Sequence, residues 1–177
     1  YEFKTKKKVF LDKFSKKLCG KNRKGHFKGV IEVVNRFLEI IKPKFIFLGL
    51  KDFQQLYLIK KHIKKRRIDT KVVACKIIRE KKGYAFSSRN KNLTIKDKLV
   101  AFKVYNFLKK LKIKLKRNKL KKFDFFHIKK SLIKLGVRKI DYIELVNTKN
   151  PKKKINVSNF NIFIAYYLSN IRLIDNI

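Results

Sequence analysis

The sequence predicts an α/β fold in which a parallel sheet with flanking helices is followed by a smaller α+β portion. Three observations carry that expectation. Residues 27–76 read helix, strand, helix, strand, the repeat that builds parallel sheets with right-handed crossovers. Phe45-Ile46-Phe47-Leu48 is wholly apolar, as in strands covered on both faces. Beyond residue 82 the βα alternation gives way to long amphipathic helices and then to β-rich segments.

The elements follow in order. Residues 1–24 are basic and poorly periodic, and the two glycines and asparagine between Cys19 and Gly25 read as a loop. From Phe27 to Ile41, apolar residues at Val30, Val33, Val34, Phe37, Leu38 and Ile41 recur at helical spacing and predict one buried face. Pro43 closes that helix and Gly49 ends the strand after it. Asp52 is placed to cap a second helix, with Gln55 three residues on as its capping-box partner. That helix runs through Leu56, Ile59 and Ile63 to the basic end Lys64–Arg67, which suits its dipole. Asp69-Thr70 turns into a strand over Lys71–Lys76. Lys81-Lys82-Gly83 is a turn and Ser87-Ser88-Arg89-Asn90 a polar loop. Thr94 caps a helix reaching about Leu115, a basic linker follows, and Asp124 opens a helix that Gly136 stops after Leu135. Tyr142–Val146 and Ile162–Leu168 are strand-like, with Pro151 in the hinge between them. The division expected is residues 1–82 and 83–177, without internal repeats.

Composition narrows the function classes. The chain has 177 residues, 50 basic against 12 acidic, for a net charge of +38, yet it is 45% hydrophobic. That apolar content excludes the disordered class and implies a packed core. Two cysteines, Cys19 and Cys75, are too few for a disulfide framework or an all-cysteine zinc site, and suit small buried hydrophobes in a reducing cytosol. With His62 and His127 they show no metal-ligand spacing, so no protein metal site is expected. Apolar runs such as Phe45–Leu50 are far short of a membrane span, and no membrane partner is expected. The charge first suggests nucleic acid. Arginine, the residue that favours base and phosphate clamping, nevertheless holds only nine of the 50 basic positions. Lysines lie on every predicted helix and loop rather than along one stripe, so a solvated lysine surface is expected, with weak, salt-sensitive adhesion to polyanions and no specific nucleic-acid partner. Methionine is absent even at position 1, and no signal-peptide pattern opens the chain. A processed product, or the later part of a longer protein, is the expectation.

Three constellations could carry chemistry. Gly49-Leu50-Lys51-Asp52-Phe53-Gln54-Gln55 lies where a parallel strand meets a helix N-terminus, the edge at which open α/β sheets bind ligands. Helix N–H groups and Lys51 favour an anion there, Asp52 can accept from ribose hydroxyls, and Gln55 can bind a small polar substrate. Asp52 and Gln55 serve equally well as caps. Phe86-Ser87-Ser88-Arg89-Asn90 offers two hydroxyls, backbone N–H groups and a guanidinium, the parts of a phosphate nest or of a solvated turn with a capping serine. Arg23-Lys24-Gly25-His26-Phe27 opens the first helix, where Arg23 could grip a carboxylate or phosphate and His26 could donate to one; an ordinary first-turn histidine is the other reading.

Together these segments resemble the pantoate–β-alanine ligase family. The matching residues are Arg23 to Val30, Gly49 to Leu56, Ser87-Ser88-Arg89-Asn90 with Leu93-Thr94, and Arg172-Leu173-Ile174-Asp175-Asn176, in order and over nearly the whole chain. The resemblance implies a Rossmann-like nucleotide-binding domain, of which residues 1–82 would be the C-terminal part, and a lid-like α+β domain over 83–177. It further implies a cytoplasmic, homodimeric, magnesium-dependent enzyme that joins pantoate to ATP as pantoyl adenylate and then transfers the pantoyl group to β-alanine. Lys51 and Arg89 would be catalytic. ATP would contact Gly49, Leu50, Lys51, Asp52, Ile78, Phe86, Ser87, Ser88 and Arg89, with Gly49 and Asp52 at the ribose and Ile78 near the adenine through its backbone. Pantoate would meet Gln55 and Arg23, with Val33, Val34 and Phe37 as an apolar wall. Leu50, Lys24 and Phe86 depart from the family's usual residues. The family's His-x-Gly-His motif and a second pantoate-binding glutamine are absent from this sequence. The chain therefore reads as the C-terminal portion of such an enzyme, with an exposed sheet edge and no complete catalytic set. A lysine-rich nucleic-acid-binding protein and another adenylyl-transferring enzyme of the same superfamily are the alternatives.

Overall fold

A computed structural model describes residues 9–117 and 124–177, so most of the basic linker expected before Asp124 lies outside the described residues. The chain divides into one unit ending at Ile77 and a second beginning at Ile78, five residues before the expected boundary. The side chain of Arg79 accounts for the difference, because it binds Asp175 and Asn176, and its bridge to Ala85 keeps residues 79–85 together.

In the first unit, a short helix α1 (Cys19–Asn22) precedes α2 (His26–Ile41), β1 (Phe45–Gly49), α3 (Phe53–Arg66) and β2 (Lys71–Cys75). The strands pair in parallel from Phe45↔Lys71 to Gly49↔Cys75, with α3 as the crossover. Gly20 in α1 approaches the Ser15 carbonyl so closely that a Cβ would stand 1.6 Å from its oxygen. Thr70 Oγ1 donates to the Pro43 carbonyl at 2.7 Å and joins the turn after α3 to the end of α2.

Three expectations from sequence fail in this unit. The buried face of α2 is Phe27, Ile31, Asn35 and Leu38; Val30, Val33 and Val34 are half-buried, while Phe37 and Ile41 are exposed. The buried residues keep helical spacing but are rotated from the expected apolar stripe, because α3 supplies both apolar contacts and the polar partner of Asn35. Strand β1 is not covered on both faces either. Phe45 and Phe47 are exposed, since alternate side chains of the strand share one face and no described element covers it. Cys19 is buried, but Cys75 is exposed at the end of β2.

The second unit contains α4 (Ile95–Arg117), α5 (Phe125–Lys134), β3 (Lys139–Asn147), β4 (Phe160–Leu168) and β5 (Ile171–Asn176). Thr94 and Asp97 form a reciprocal cap at the start of α4: the Asp97 N–H donates to Thr94 Oγ1 at 3.0 Å and the Thr94 N–H to Asp97 Oδ2 at 3.2 Å. Asp124 caps α5 by accepting from the His127 N–H. The sheet is antiparallel in the order β3-β4-β5, with an irregularity between Ile140 and Tyr142. Val100, Ala101, Val104 and Leu108 on one face of α4, with Ile128 and Leu132 of α5, pack on Ile143, Ile162, Ile164 and Leu168 of the sheet. Strand β5 is not among the expected elements. Its polar Arg172, Asp175 and Asn176 conceal the alternation, yet their side chains bind Asp141, Arg79 and Asn161.

Candidate functional site

Each unit carries part of the site expected from sequence. In the first, Gly49 ends β1 and a 3₁₀ turn over Leu50–Asp52 leads directly into α3. Chain continuity thus brings Gly49, Leu50, Lys51, Asp52 and Gln55 to the carboxyl end of the parallel pair. Gly49 and Asp52 are exposed; Leu50, Lys51 and Gln55 are half-buried. The expected capping box does not form. Asp52 stands at the N-cap position but makes no side-chain bond to the helix, because the 3₁₀ turn gives it φ −92° and ψ 47° rather than the extended backbone that capping needs. The neighbouring Gln54, which the sequence offers no reason to single out, is buried and donates from Nε2 to the carbonyls of Phe14 (2.8 Å) and Lys17 (2.7 Å). It anchors the segment before α1, leaving Gln55 as the glutamine on the accessible side.

Val33, Val34 and Phe37 lie on the side of α2 that its own packing leaves part-exposed. Arg23 sits in the turn before α2 and lines a cavity of about 440 Å³ with Leu11, Lys16, Lys24, Phe27 and Lys28. Gln55, Val33, Val34 and Phe37 are not in that lining, so Arg23 is not brought to them by this cavity. His62 is wholly buried between α2 and the chain before α1. Its Nδ1 accepts from the Phe10 N–H at 3.0 Å and its Nε2 donates to Asn35 Oδ1 at 2.8 Å. Burial, helped by the charge of Arg66, holds this imidazole below the usual histidine range, as suits a neutral structural ring.

In the second unit the chain doubles back on itself. Arg79 bridges Ala85, and the Phe86 N–H donates to the Ile78 carbonyl at 2.9 Å, so Ile78 and Phe86 are brought together, both exposed. Ser87 follows, its Oγ accepting from the Arg89 N–H at 3.3 Å and capping a 3₁₀ turn over Ser88–Asn92. The capping serine therefore exists, and with it an exposed Ser88 hydroxyl and an exposed guanidinium on Arg89, whose Nη1 lies 3.4 Å from the Arg172 carbonyl. Behind this loop stands a polar network that sequence alone does not assign. Arg79 grips Asp175 with both Nη atoms, at 2.8 and 3.1 Å, and donates to the Gly83 and Asn176 carbonyls at 3.0 Å each. Its guanidinium also lies 4.9 Å from the Tyr105 ring centroid. Burial pushes the Asp175 carboxyl above the usual carboxylate range, against which Arg79 and the backbone N–H groups of Asn176 and Ala85 pull it down. Asn90 Nδ2 donates to Glu80 Oε1 at 3.0 Å and to the Ala85 carbonyl at 3.2 Å. The signal available in the sequence is the Arg172–Asn176 segment, one of the stretches that carry the family resemblance.

Among the described residues no helix is long and apolar enough to cross a membrane, and no group of three or more His, Cys, Asp or Glu could hold a metal ion.

Comparison with known proteins accounts for the whole chain. The family model for pantoate-beta-alanine ligase matches residues 1–177. A pantothenate synthetase of Flavobacterium psychrophilum is 37% identical over 184 residues, covering 100% of this chain and 64% of that protein. One from Francisella tularensis subsp. novicida is 37% identical over 161 residues, covering 90% and 52%. The chain thus spans between about half and two thirds of the length of these curated relatives. Among solved structures, the Francisella tularensis pantoate-beta-alanine ligase complexed with beta-gamma ATP and beta-alanine matches 99% of this chain and 57% of that one, at 34% identity and a TM-score of 0.72. The pantothenate synthetase of Thermus thermophilus shares the fold, with a TM-score of 0.78 at 23% identity over 97% of this chain and 63% of that one.

Proposed function

This chain belongs to the pantoate–β-alanine ligase family, and on that premise we propose that the complete gene product condenses pantoate with β-alanine, using ATP. A carboxylate oxygen of pantoate attacks the α-phosphorus of ATP. The bond from that phosphorus to the bridging oxygen breaks, and pyrophosphate leaves with the electron pair. The amine of β-alanine then attacks the carbonyl of pantoyl adenylate. The C–N bond forms as the C–O bond to AMP breaks, and the amine nitrogen gives up a proton. Negative charge builds around the α-phosphorus in the first step, so preorganised cations there lower the barrier.

In this reading Lys51 and Arg89 supply those cations. Ser87 and Ser88 hold the phosphates, Gly49, Leu50 and Asp52 flank the ribose, and Ile78 and Phe86 border the adenine. Gln55 and Arg23 bind pantoate, against a wall of Val33, Val34 and Phe37. The observation that carries the reading is Asp52. It stands at a helix N-cap, caps nothing and faces solvent at the ligand-binding edge of a parallel sheet, leaving its carboxylate available for hydroxyls. The open faces of Phe45 and Phe47 support a further element of the reading, that this chain is the C-terminal portion of the enzyme and that polypeptide upstream supplies the His-x-Gly-His half of the site. A cytoplasmic homodimer belongs to the same reading. Magnesium belongs to the same reading as a companion of the ATP phosphates, since no group of three or more His, Cys, Asp or Glu among the described residues could hold a metal ion.

Pyrophosphate release by the complete gene product tests the proposal. Release from ATP that requires pantoate, followed by pantothenate formation on adding β-alanine, is the expected result. Release with a different acid and none with pantoate would make it another adenylyl-transferring enzyme. Sequence-selective, salt-resistant DNA binding with no release would make it a nucleic-acid-binding protein.

A further inference from the structure

The loop over residues 86–89 is exposed except at the half-buried Ser87, and Arg89 Nη1 lies 3.4 Å from the Arg172 carbonyl of β5. The Phe86 N–H reaches the Ile78 carbonyl, and Ser87 Oγ accepts from the Arg89 N–H within the loop. Its two ends, Ala85 and Asn90, are buried. Ala85 bridges Arg79, and its carbonyl accepts from Asn90 Nδ2. Asp175 is buried on β5 and receives the paired Nη atoms of Arg79, the residue that bridges Ala85 from the other side of the hairpin. Arg79 in turn fixes the tip, donating to the carbonyl of Gly83. That tip has little freedom: Gly83 has φ +92°, and a Cβ there would stand 2.3 Å from Tyr105 Cε1. Through Arg79, one carboxylate therefore holds both strands of the hairpin that leads to Ser87, Ser88 and Arg89. The planar fork of arginine makes the contact directional, which a single ammonium would not.

We propose that Asp175 and Arg79 are positioning residues, which hold the Ser87–Arg89 donors at the place where the phosphates of the nucleotide bind. The inference rests on the reading of that loop as phosphate-binding given above. A group that sets donor position changes nucleotide affinity selectively. A group that merely supports the core lowers the folded fraction, and with it kcat, equally for every substrate.

The test is steady-state pyrophosphate release by the complete gene product, with ATP and pantoate varied separately. Asp175→Asn keeps the side chain's shape but sets an amide against the guanidinium. It should raise KM for ATP by about tenfold or more while KM for pantoate stays within about twofold. Arg79→Lys keeps the charge and loses the fork, and should raise KM for ATP in the same direction by about threefold. If both variants lower kcat with neither KM moved, the inference is overturned. Should Asp175→Asn fail to fold, Arg79→Lys decides alone. Arg89→Ala separates the two levels of argument. If it leaves KM for ATP unchanged, the loop is not a phosphate site, and reading and inference fall together. If it raises KM for ATP while neither Asp175→Asn nor Arg79→Lys does, only the positioning role is lost.

Discussion

Asp52 shows how one side chain can separate a structural role from a chemical one. A capping aspartate contributes about 1 kcal/mol to its helix, because it satisfies an N–H that has no other partner. Asp52 makes no such bond. Asp52→Ala should therefore change the urea midpoint negligibly while weakening ATP binding in the complete gene product; a loss of stability near that of a true cap, with ATP binding intact, would restore the capping role. His62 makes the opposite case, a titratable group with a purely structural position. It is neutral, buried and bonded at both nitrogens, and its folded pKa lies below the unfolded value. The unfolded chain then binds the extra proton first. Stability is complete above about pH 6.5 and falls as pH drops below it, by about 1.4 kcal/mol per unit until the folded pKa is reached. His62→Gln removes that slope, so its stability between pH 6.5 and 5 should vary less than that of the parent chain, whatever its absolute value. Parallel pH profiles would remove the histidine from the account. The sequence marks Asp52 and Gln55 by spacing but does not distinguish cap from ligand, since that depends on a 3₁₀ turn of three residues. Gln54 carries no local signal at all, because only folding brings the carbonyls of Phe14 and Lys17 to it.

At the scale of elements, helices and strands with strong local signals are legible and contact-dependent features are not. The cap of α4 is legible in Thr94, and the structure adds Asp97 as its reciprocal partner and the Ser169 hydroxyl as a further donor to that carboxylate. Thr94→Ala should destabilise the second unit by about 1 kcal/mol, read as a lower denaturation midpoint at unchanged m-value. An unchanged midpoint would mean that tertiary packing alone sets the start of α4. Strand β5 is hidden because its charges are satisfied by partners far away in sequence: Arg172 donates from Nε to Asp141 at 2.7 Å, and Asp175 receives Arg79. The buried face of α2 departs from its apolar stripe for a related reason. Such a stripe gives the direction of greatest hydrophobicity, but Asn35 and His62 form a buried polar pair, and that pair turns the helix toward α3. The parallel pair β1–β2 is legible in its apolar run, whereas its open face follows from which elements pack over the sheet, which no local window contains.

For the molecule as a whole, charge decides what conditions it tolerates. Fifty basic residues face only 12 acidic ones, and several of those acids are engaged inside the units, as in Arg79–Asp175 and Arg172–Asp141. The net charge of +38 is therefore carried by a surface without enough carboxylates to neutralise it. Self-repulsion at that level works against compactness, and it is screened over about 10 Å in 0.1 M salt but about 3 Å in 1 M. Added sodium chloride should accordingly raise the melting temperature, most steeply at low ionic strength. The same lysines should bind polyanions by releasing counterions, without regard to base order, so affinity for duplex DNA should fall by about tenfold or more between 50 and 200 mM salt and be the same for unrelated sequences. Both measurements use one salt series and respond in opposite directions, because screening relieves repulsion within the chain and weakens attraction to a partner. Affinity that persisted at high salt for one sequence alone would mean that some of these lysines form a defined nucleic-acid surface rather than a solvated coat.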